Sequence, residues 1–245
     1  MAAVGSVPCV DDLIGQTSAC VLQPKCLFVS WNGVLTLVYR GFPPCLTKLK
    51  SDVSSAFPGL PKENPGSLWP KTSLAALKDK CRLTPDQLQQ LNNICRDVSE
   101  GLTAIVPEDL TVLVENLSVV VYECRSLERK ISKKTIPLQM PADLSIPSEE
   151  QLQNAERVVA ESADKDYWFF ASRDGSRESH YQGTGMGVTL AHELAAFSSV
   201  DGDGKMPALK GVLRKFRERV EKDLPGMYTW FAEESLHVTI RGLIG

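Results

Sequence analysis

The chain has 245 residues, 43% of them hydrophobic and 23% charged, with a formal net charge of −3. That length supports a substantial core, the composition is that of an ordinary globular chain, and the slight acidity excludes bulk electrostatic binding to DNA or RNA, leaving only a local basic groove. Seven cysteines, odd in number, all at or before residue 124 and none in a CxxC pair, suggest neither a zinc site nor a disulfide framework.

Free thiols in a reducing compartment are therefore expected. No apolar run approaches the roughly 20 residues of a membrane span. The first 25 residues carry Asp11 and Asp12 with Lys25 as their one basic residue, a poor secretory or transit signal. These features predict a cytoplasmic protein without membrane attachment.

In chain order, residues 1–25 read as a loose N-terminal arm or an added edge. Leu27 to Trp31 and Val34 to Arg40 read as strands joined at Asn32-Gly33, the strongest short hairpin signal. Leu46, Leu49, Val53 and Phe57 recur at helical spacing, and Pro58-Gly59 stops that helix. A Pro- and Gly-rich loop from Leu60 to Leu68 leads to the stretch Trp69 to Leu77. Thr84-Pro85-Asp86-Gln87 is a capping box, opening a helix to about Gly101 with Leu88, Leu91, Ile94 and Cys95 inward. Strands follow at Leu110 to Val114 and Leu117 to Glu123. The basic segment Arg125 to Lys134 and the Pro-punctuated Ile136 to Pro147 read as a connection between two halves. Ser148 to Gln151 is a second capping box, for a helix to about Ser162. Tyr167 to Ala171, the polar loop Ser172 to Gly185, a strand from Gly187 to Leu194 and a Gly- and Asp-rich loop from Ser198 to Pro207 come next. A helix from Ala208 carries Leu213, Phe216, Val220 and Leu224 and closes at Pro225-Gly226. Tyr228 to Phe231 is a short strand or turn.

The last strand, Glu234 to Leu243, contains His237-Val238-Thr239-Ile240. Alternation puts His237 and Thr239 on one face and Leu236, Val238 and Ile240 on the other. An imidazole beside a hydroxyl can hold a phosphate and move a proton. A plain terminal strand with one polar face is the competing reading.

An internal repeat gives this strand a partner. Leu46, Leu49, Val53, Phe57, Pro58 and Gly59 superimpose without a gap on Leu213, Phe216, Val220, Leu224, Pro225 and Gly226. Fourteen residues separate Gly59 from Ser73, and thirteen separate Gly226 from Thr239. Upstream, Thr36 to Arg40 sits where Thr189 to Glu193 sits. Each unit reads as strand, helix, Pro-Gly loop and a strand with one polar face.

On these residues the chain resembles the two-histidine phosphoesterases, which include RNA 2′,3′-cyclic phosphodiesterases. Their signature is a pair of His-x-Thr/Ser-hydrophobic strands, one in each of two pseudo-symmetric lobes facing a central cleft. His237-Val238-Thr239-Ile240 matches one strand. In Trp69 to Leu77, Ser73 and Leu74 match the other, but Lys71 stands where the family has histidine. The resemblance covers about residues 27–245 and implies an α+β fold. Each lobe is then an antiparallel sheet with outer helices, one at about 26–145 and the other at about 146–245, in a single domain from residue 26. It implies metal-independent, cofactor-free chemistry, with His237 and Thr239 catalytic and Lys71 and Ser73 holding phosphate. An unperturbed ammonium, with a pKa near 10.4, is a phosphate anchor but a poor base. The expectation is a phosphoesterase-like protein that binds a cyclic phosphate or an RNA-end phosphodiester, with weakened or lost turnover. The alternative is a non-catalytic interaction or RNA-binding protein, with a protein partner, that kept the fold and lost the site.

Arg241 follows the motif on the His237 face by alternation, within reach of a phosphate or turned outward. His192 and Tyr39, at matching places in the two units, could line the same cleft and stack on a base. His192-Glu193 also resembles the start of a zinc-protease motif, but the second histidine four residues on is missing. His180 falls in a polar loop. Asp201-Gly202-Asp203-Gly204 resembles a calcium loop, yet its twelfth position is Val212, so a turn is expected. Arg214, Lys215, Arg217 and Arg219 read as a solvated helix face. Nothing in the sequence places Cys81 or Cys124 near a histidine.

Overall fold

The computed structural model describes residues 9–30, 33–103, 110–162, 164, 177–194 and 208–244. Within them the chain is α+β, built on three sheets. The first sheet has the order β10-β4-β3-β2, from Tyr228–Trp230 (β10), Lys71–Leu77 (β4), Val34–Tyr39 (β3) and Pro24–Ser30 (β2). The second has the order β11-β9-β6-β7, from His237–Ile244 (β11), Gly187–Glu193 (β9), Asn116–Tyr122 (β6) and Lys130–Pro137 (β7). Both are antiparallel throughout. A third, smaller sheet sets Ser18–Leu22 (β1) between Val112–Val114 (β5), antiparallel, and Gln139–Asp143 (β8), parallel.

This third sheet corrects two expectations. Over residues 10–22 the N-terminal segment is no loose arm: Val10–Gly15 (α1) is a helix, and β1 pairs on both sides. The segment read as a connection at 125–147 holds β7 and β8. A lobe boundary near 145 therefore does not match the sheets, since β6 and β7 join the second sheet and β10 joins the first.

The β2–β3 hairpin forms as its turn residues require. Ser30 faces Val34, and Gly33 takes φ +83°, a conformation that favours glycine. Pro44–Ala56 (α2) starts on a proline and buries Leu46, Leu49 and Val53, the stripe read from spacing. Pro85–Thr103 (α3) opens with the expected reciprocal box. Gln87 N–H donates to Thr84 Oγ1 at 3.2 Å, and Thr84 N–H donates to Gln87 Oε1 at 2.9 Å. Glu149–Glu161 (α4) keeps only half of its box. Ser148 Oγ accepts from Gln151 N–H at 3.4 Å, while Gln151 Oε1 accepts from Phe42 N–H at 3.3 Å. Arg177–Gln182 (α5) and Ala208–Asp223 (α6) are the remaining α-helices among the described residues. The readings at 167–171 and 198–207 fall on residues outside the described ones.

The two strand–helix–strand units pair as the repeat implies, β3 beside β4 and β9 beside β11. Their helices are exchanged, however. Helix α2 of the first unit touches β1 and β11, whereas α6 of the second packs on α3, with Phe216 and Trp230 of β10 at 6.1 Å between ring centroids. One hydrophobic core runs through these contacts, including Leu35, Leu37 and Leu74 of the first sheet, Leu190, Val238 and Ile240 of the second, and the inward faces of α2, α3 and α6.

Helix α4 lies elsewhere. Its Ala155, Val158 and Val159 pack on Phe28, Val38, Cys26 and Trp69. Strand register puts Phe28 and Val38 on the Lys71–Ser73 face of the first sheet. This helix therefore covers part of the motif face, where only outer helices are expected.

Candidate functional site

Strands β4 and β11 belong to different sheets yet run close enough to touch. Lys71, Ser73, His237 and Thr239 are all half-buried, whereas Thr72, Leu74, Val238 and Ile240 between and beside them are buried. This in-and-out alternation is that expected of strands with one covered face.

His237 Nδ1 lies 2.8 Å from the Ser235 carbonyl. A carbonyl only accepts, so Nδ1 carries the proton and Nε2 is the basic nitrogen. Burial lowers the His237 pKa below its ordinary value. The Ser235 carbonyl and Glu193 oppose that shift, while Lys130 and Lys71 add to it. The ring is therefore held neutral, as a general base must be.

Lys71 folds its ammonium over the Trp69 ring, 4.1 Å from the centroid, and donates to the Gly66 carbonyl. Gly66 leaves the room for this, because a Cβ there would stand 3.2 Å from Lys71 Nζ. Burial, with the charge of Lys50 added, pushes the Lys71 pKa down to about 8. The sequence alone implies an unperturbed ammonium. The folded protein holds one that can give up a proton near neutrality.

Four further side chains complete the surroundings. Glu193 stands directly opposite His237 in the β9–β11 pairing. It is ion-paired to Lys130 and, at 2.7 Å, to Lys133 of the edge strand β7. Burial works to raise the Glu193 pKa, but the two lysines outweigh it and the carboxyl is held below its usual value. Tyr181 of α5 brings its hydroxyl 3.4 Å from Ser73 Oγ. Helix α5 is pinned there by Glu178, which accepts from Thr229 Oγ1 at 2.6 Å and from Asp79 N–H at 3.2 Å. The sequence does not mark Lys130 and Lys133 as site groups because their basic stretch reads as a connection, nor Glu193, whose place opposite His237 depends on the β9–β11 pairing. It missed Tyr181 because the contact with Ser73 spans 108 positions.

Three expected residues are placed away from this strip. Tyr39 shares the Thr72 face, where its hydroxyl meets Thr72 Oγ1 at 3.0 Å, and it is fully buried. His192 pairs opposite Val238, on the face away from His237, and its Nδ1 lies 3.0 Å from the Asn116 carbonyl. Burial lowers its pKa, so it is a neutral core histidine. Arg241 is turned by a β-bulge. Thr239 faces Ala191 but Arg241 faces Leu190, which moves the guanidinium to the opposite side. There it is 4% exposed, donates to the Pro61 carbonyl at 3.3 Å and lies 3.7 Å from Glu63. Glu63 is also 2.6 Å from Lys50. Arg241 thus clamps the loop leading into β4.

His180 is exposed on α5, with its ring edge against Tyr181. Among the described residues, no group of three or more His, Cys, Asp or Glu side chains could hold a metal ion. No described helix is long and apolar enough to cross a membrane.

Comparison with family models, with curated proteins and with solved structures found no match.

The strip is narrow. Leu127 packs on Val120 and Ala191, which share the His237 face of the second sheet, and α4 covers the far part of the first. What stays half-exposed is a line of polar groups along β4 and β11, flanked by Glu193 of β9 and by Lys130 and Lys133 of β7, the three lysines with Lys71 outnumbering Glu193 in charge. Such a line suits a small anion better than an extended chain.

Proposed function

We propose that the strip between β4 and β11 binds a phosphoryl group. In this reading the chain is a relative of the two-histidine phosphoesterases, with Lys71 in place of one histidine. The observation that carries the reading is that β4 and β11, the strands holding the two half-buried polar pairs, Lys71 with Ser73 and His237 with Thr239, touch, with the Lys71 charge acting on His237. Lys71 supplies charge, Ser73 and Thr239 supply hydroxyl donors, and Lys130 and Lys133 supply a cationic surround.

The same groups can run a metal-independent hydrolysis of a nucleoside 2′,3′-cyclic phosphate or a similar RNA end. Neutral His237 takes a proton from water at Nε2, and the water oxygen attacks phosphorus. One ribose P–O bond breaks, the ring opens to a phosphate monoester, and the Lys71 ammonium protonates the departing ribose oxygen. A bound phosphate stabilises the ammonium and slows that last transfer, so turnover is expected to be slow relative to binding.

A second reading, a non-catalytic interaction protein, draws support from the cover that α4 and Leu127 lay over the motif faces and from the tie between Lys71 and the Gly66 carbonyl. Purified chain incubated with a nucleoside 2′,3′-cyclic phosphate separates the two. The phosphoesterase reading expects saturable binding, at least tenfold weaker in His237→Ala, and slow ring opening that is lost in that variant. No binding of cyclic phosphate or inorganic phosphate leaves the interaction reading.

A further inference from the structure

Helices α2 and α4 each have thirteen residues but are held differently. Helix α2 buries Leu46, Leu49 and Val53 in the main core, whereas α4 fully buries one side chain, Ala155. Ala155 closes a small separate cluster with Phe28, Val38 and Trp69, to which Val158 and Val159 add half-buried contacts. Polar support is thin. Lys25 Nζ lies 3.2 Å from Glu156, which is 65% exposed, and the Phe42 N–H donates to Gln151 Oε1 at 3.3 Å. An exposed ion pair of this kind adds little. On its N-terminal side the helix follows residues 144–147, where Leu144 and Ile146 are exposed. A segment that gives up so few apolar contacts can open while the rest of the chain stays folded.

The face under α4 is that of the candidate site. Phe28 and Val38 share the Lys71–Ser73 face of the first sheet. The Lys71 ammonium rests on the ring of Trp69, a member of the same cluster, 4.1 Å from its centroid. Helix α4 also carries Glu149, Glu150, Glu156 and Glu161 against Arg157 as its one basic residue. An acidic helix beside a cationic strip repels the anion that strip would take.

We propose that α4 is an autoinhibitory cover, which leaves the first sheet by local opening and competes with phosphate for access to Lys71. The inference rests on the phosphoryl reading of the strip between β4 and β11. Docked, the helix buries the Trp69 ring on which Lys71 lies and sets its glutamates near the strip. Undocked, it removes both obstacles, and Lys71 is free to leave the Gly66 carbonyl for a phosphoryl oxygen. A ligand that binds the open state alone shifts the population toward it. A cover closed about 80% of the time weakens the apparent affinity about fivefold.

Two measurements on the full chain test this. The first is hydrogen exchange read by mass spectrometry. An undocked helix of thirteen residues is marginal in water, so the α4 amides are expected to exchange about tenfold faster or more than those of α2. A saturating nucleoside 2′,3′-cyclic phosphate is expected to speed α4 exchange further. The second is a calorimetric titration of that ligand into Ala155→Glu, which keeps a good helix former but cannot dock. Binding about fivefold tighter than in the unmodified chain is expected. The added negative charge opposes such a gain, so electrostatics cannot supply it. Protection of α4 equal to that of α2, or slowing of α4 exchange by the ligand, overturns the cover. Loss of the cooperative thermal transition in Ala155→Glu makes α4 part of the main fold and overturns it too. Equal or weaker binding by Ala155→Glu overturns the cover and leaves the phosphoryl site standing, whereas no binding to either protein overturns both.

Discussion

His237 donates a hydrogen bond from Nδ1–H to the Ser235 carbonyl and is kept neutral by burial, while Lys71 is held near the edge of losing its own proton. In the proposed chemistry the base must be neutral and the acid charged. Measured as kcat/KM on a cyclic phosphate, activity should rise as pH climbs through a value below the ordinary 6.5 and fall above about 8. Flat activity across that upper limb counts against Lys71 as the acid. The same two groups act on stability. Both have folded pKa values below their unfolded ones, so the unfolded chain binds more protons and stability grows with pH. His237 loses stability as pH falls through 6.5 toward its lowered value, and Lys71 costs stability below about 8 and is relieved as pH rises toward 10.5. Lys71→Met, which keeps the stem and removes the buried charge, should raise stability at neutral pH by about 1 kcal/mol while abolishing phosphate binding. Chemical denaturation and a binding titration on one sample check both halves of that expectation.

The bulge in β11 decides what Arg241 does. Alternation from His237 puts the arginine on the motif face, and one extra residue between Thr239 and Arg241 reverses that placement. Nothing in Thr239-Ile240-Arg241-Gly242 signals the bulge, because it depends on which residues of β9 are opposite. Arg241 then serves the loop before β4. Arg241→Met should destabilise the chain by about 2 kcal/mol. That is below the cost of breaking an isolated buried pair, because Glu63 keeps Lys50 as a partner. Urea unfolding of the variant checks it, with Arg214→Met as an exposed control. Local signals fared better where the structure is local. The Asn32-Gly33 hairpin signal, the Leu46–Leu49–Val53 stripe and the Thr84 capping box each correspond to an observed feature, since their determinants lie within a few residues. Strand β7 was not legible. Lys130, Lys133 and Lys134 look like a solvated run, but Glu193 and Asp11, distant in sequence, give each of them a partner.

Across the whole molecule the two repeat units do not stand apart. Helix α2 rests on β1 and β11, β10 of the second half extends the first sheet, and β6 and β7 of the first half complete the second. The order of strand, helix, Pro-Gly and motif strand was legible as a repeat. The exchange of helices and strands was not, because a repeat in sequence says nothing of which copy covers which. A fragment ending near residue 145 strands β6 and β7 without β9, and it should not fold alone. Its circular dichroism should lack a cooperative thermal transition, whereas the full chain should melt in one step.

The most direct measurement is a calorimetric titration of a nucleoside 2′,3′-cyclic phosphate, in parallel, into the unmodified chain, His237→Ala and Lys71→Met. Binding to the unmodified chain, lost in Lys71→Met and at least tenfold weaker in His237→Ala, is the predicted result. Equal affinity in all three proteins, or no binding to any, contradicts a phosphoryl site between β4 and β11.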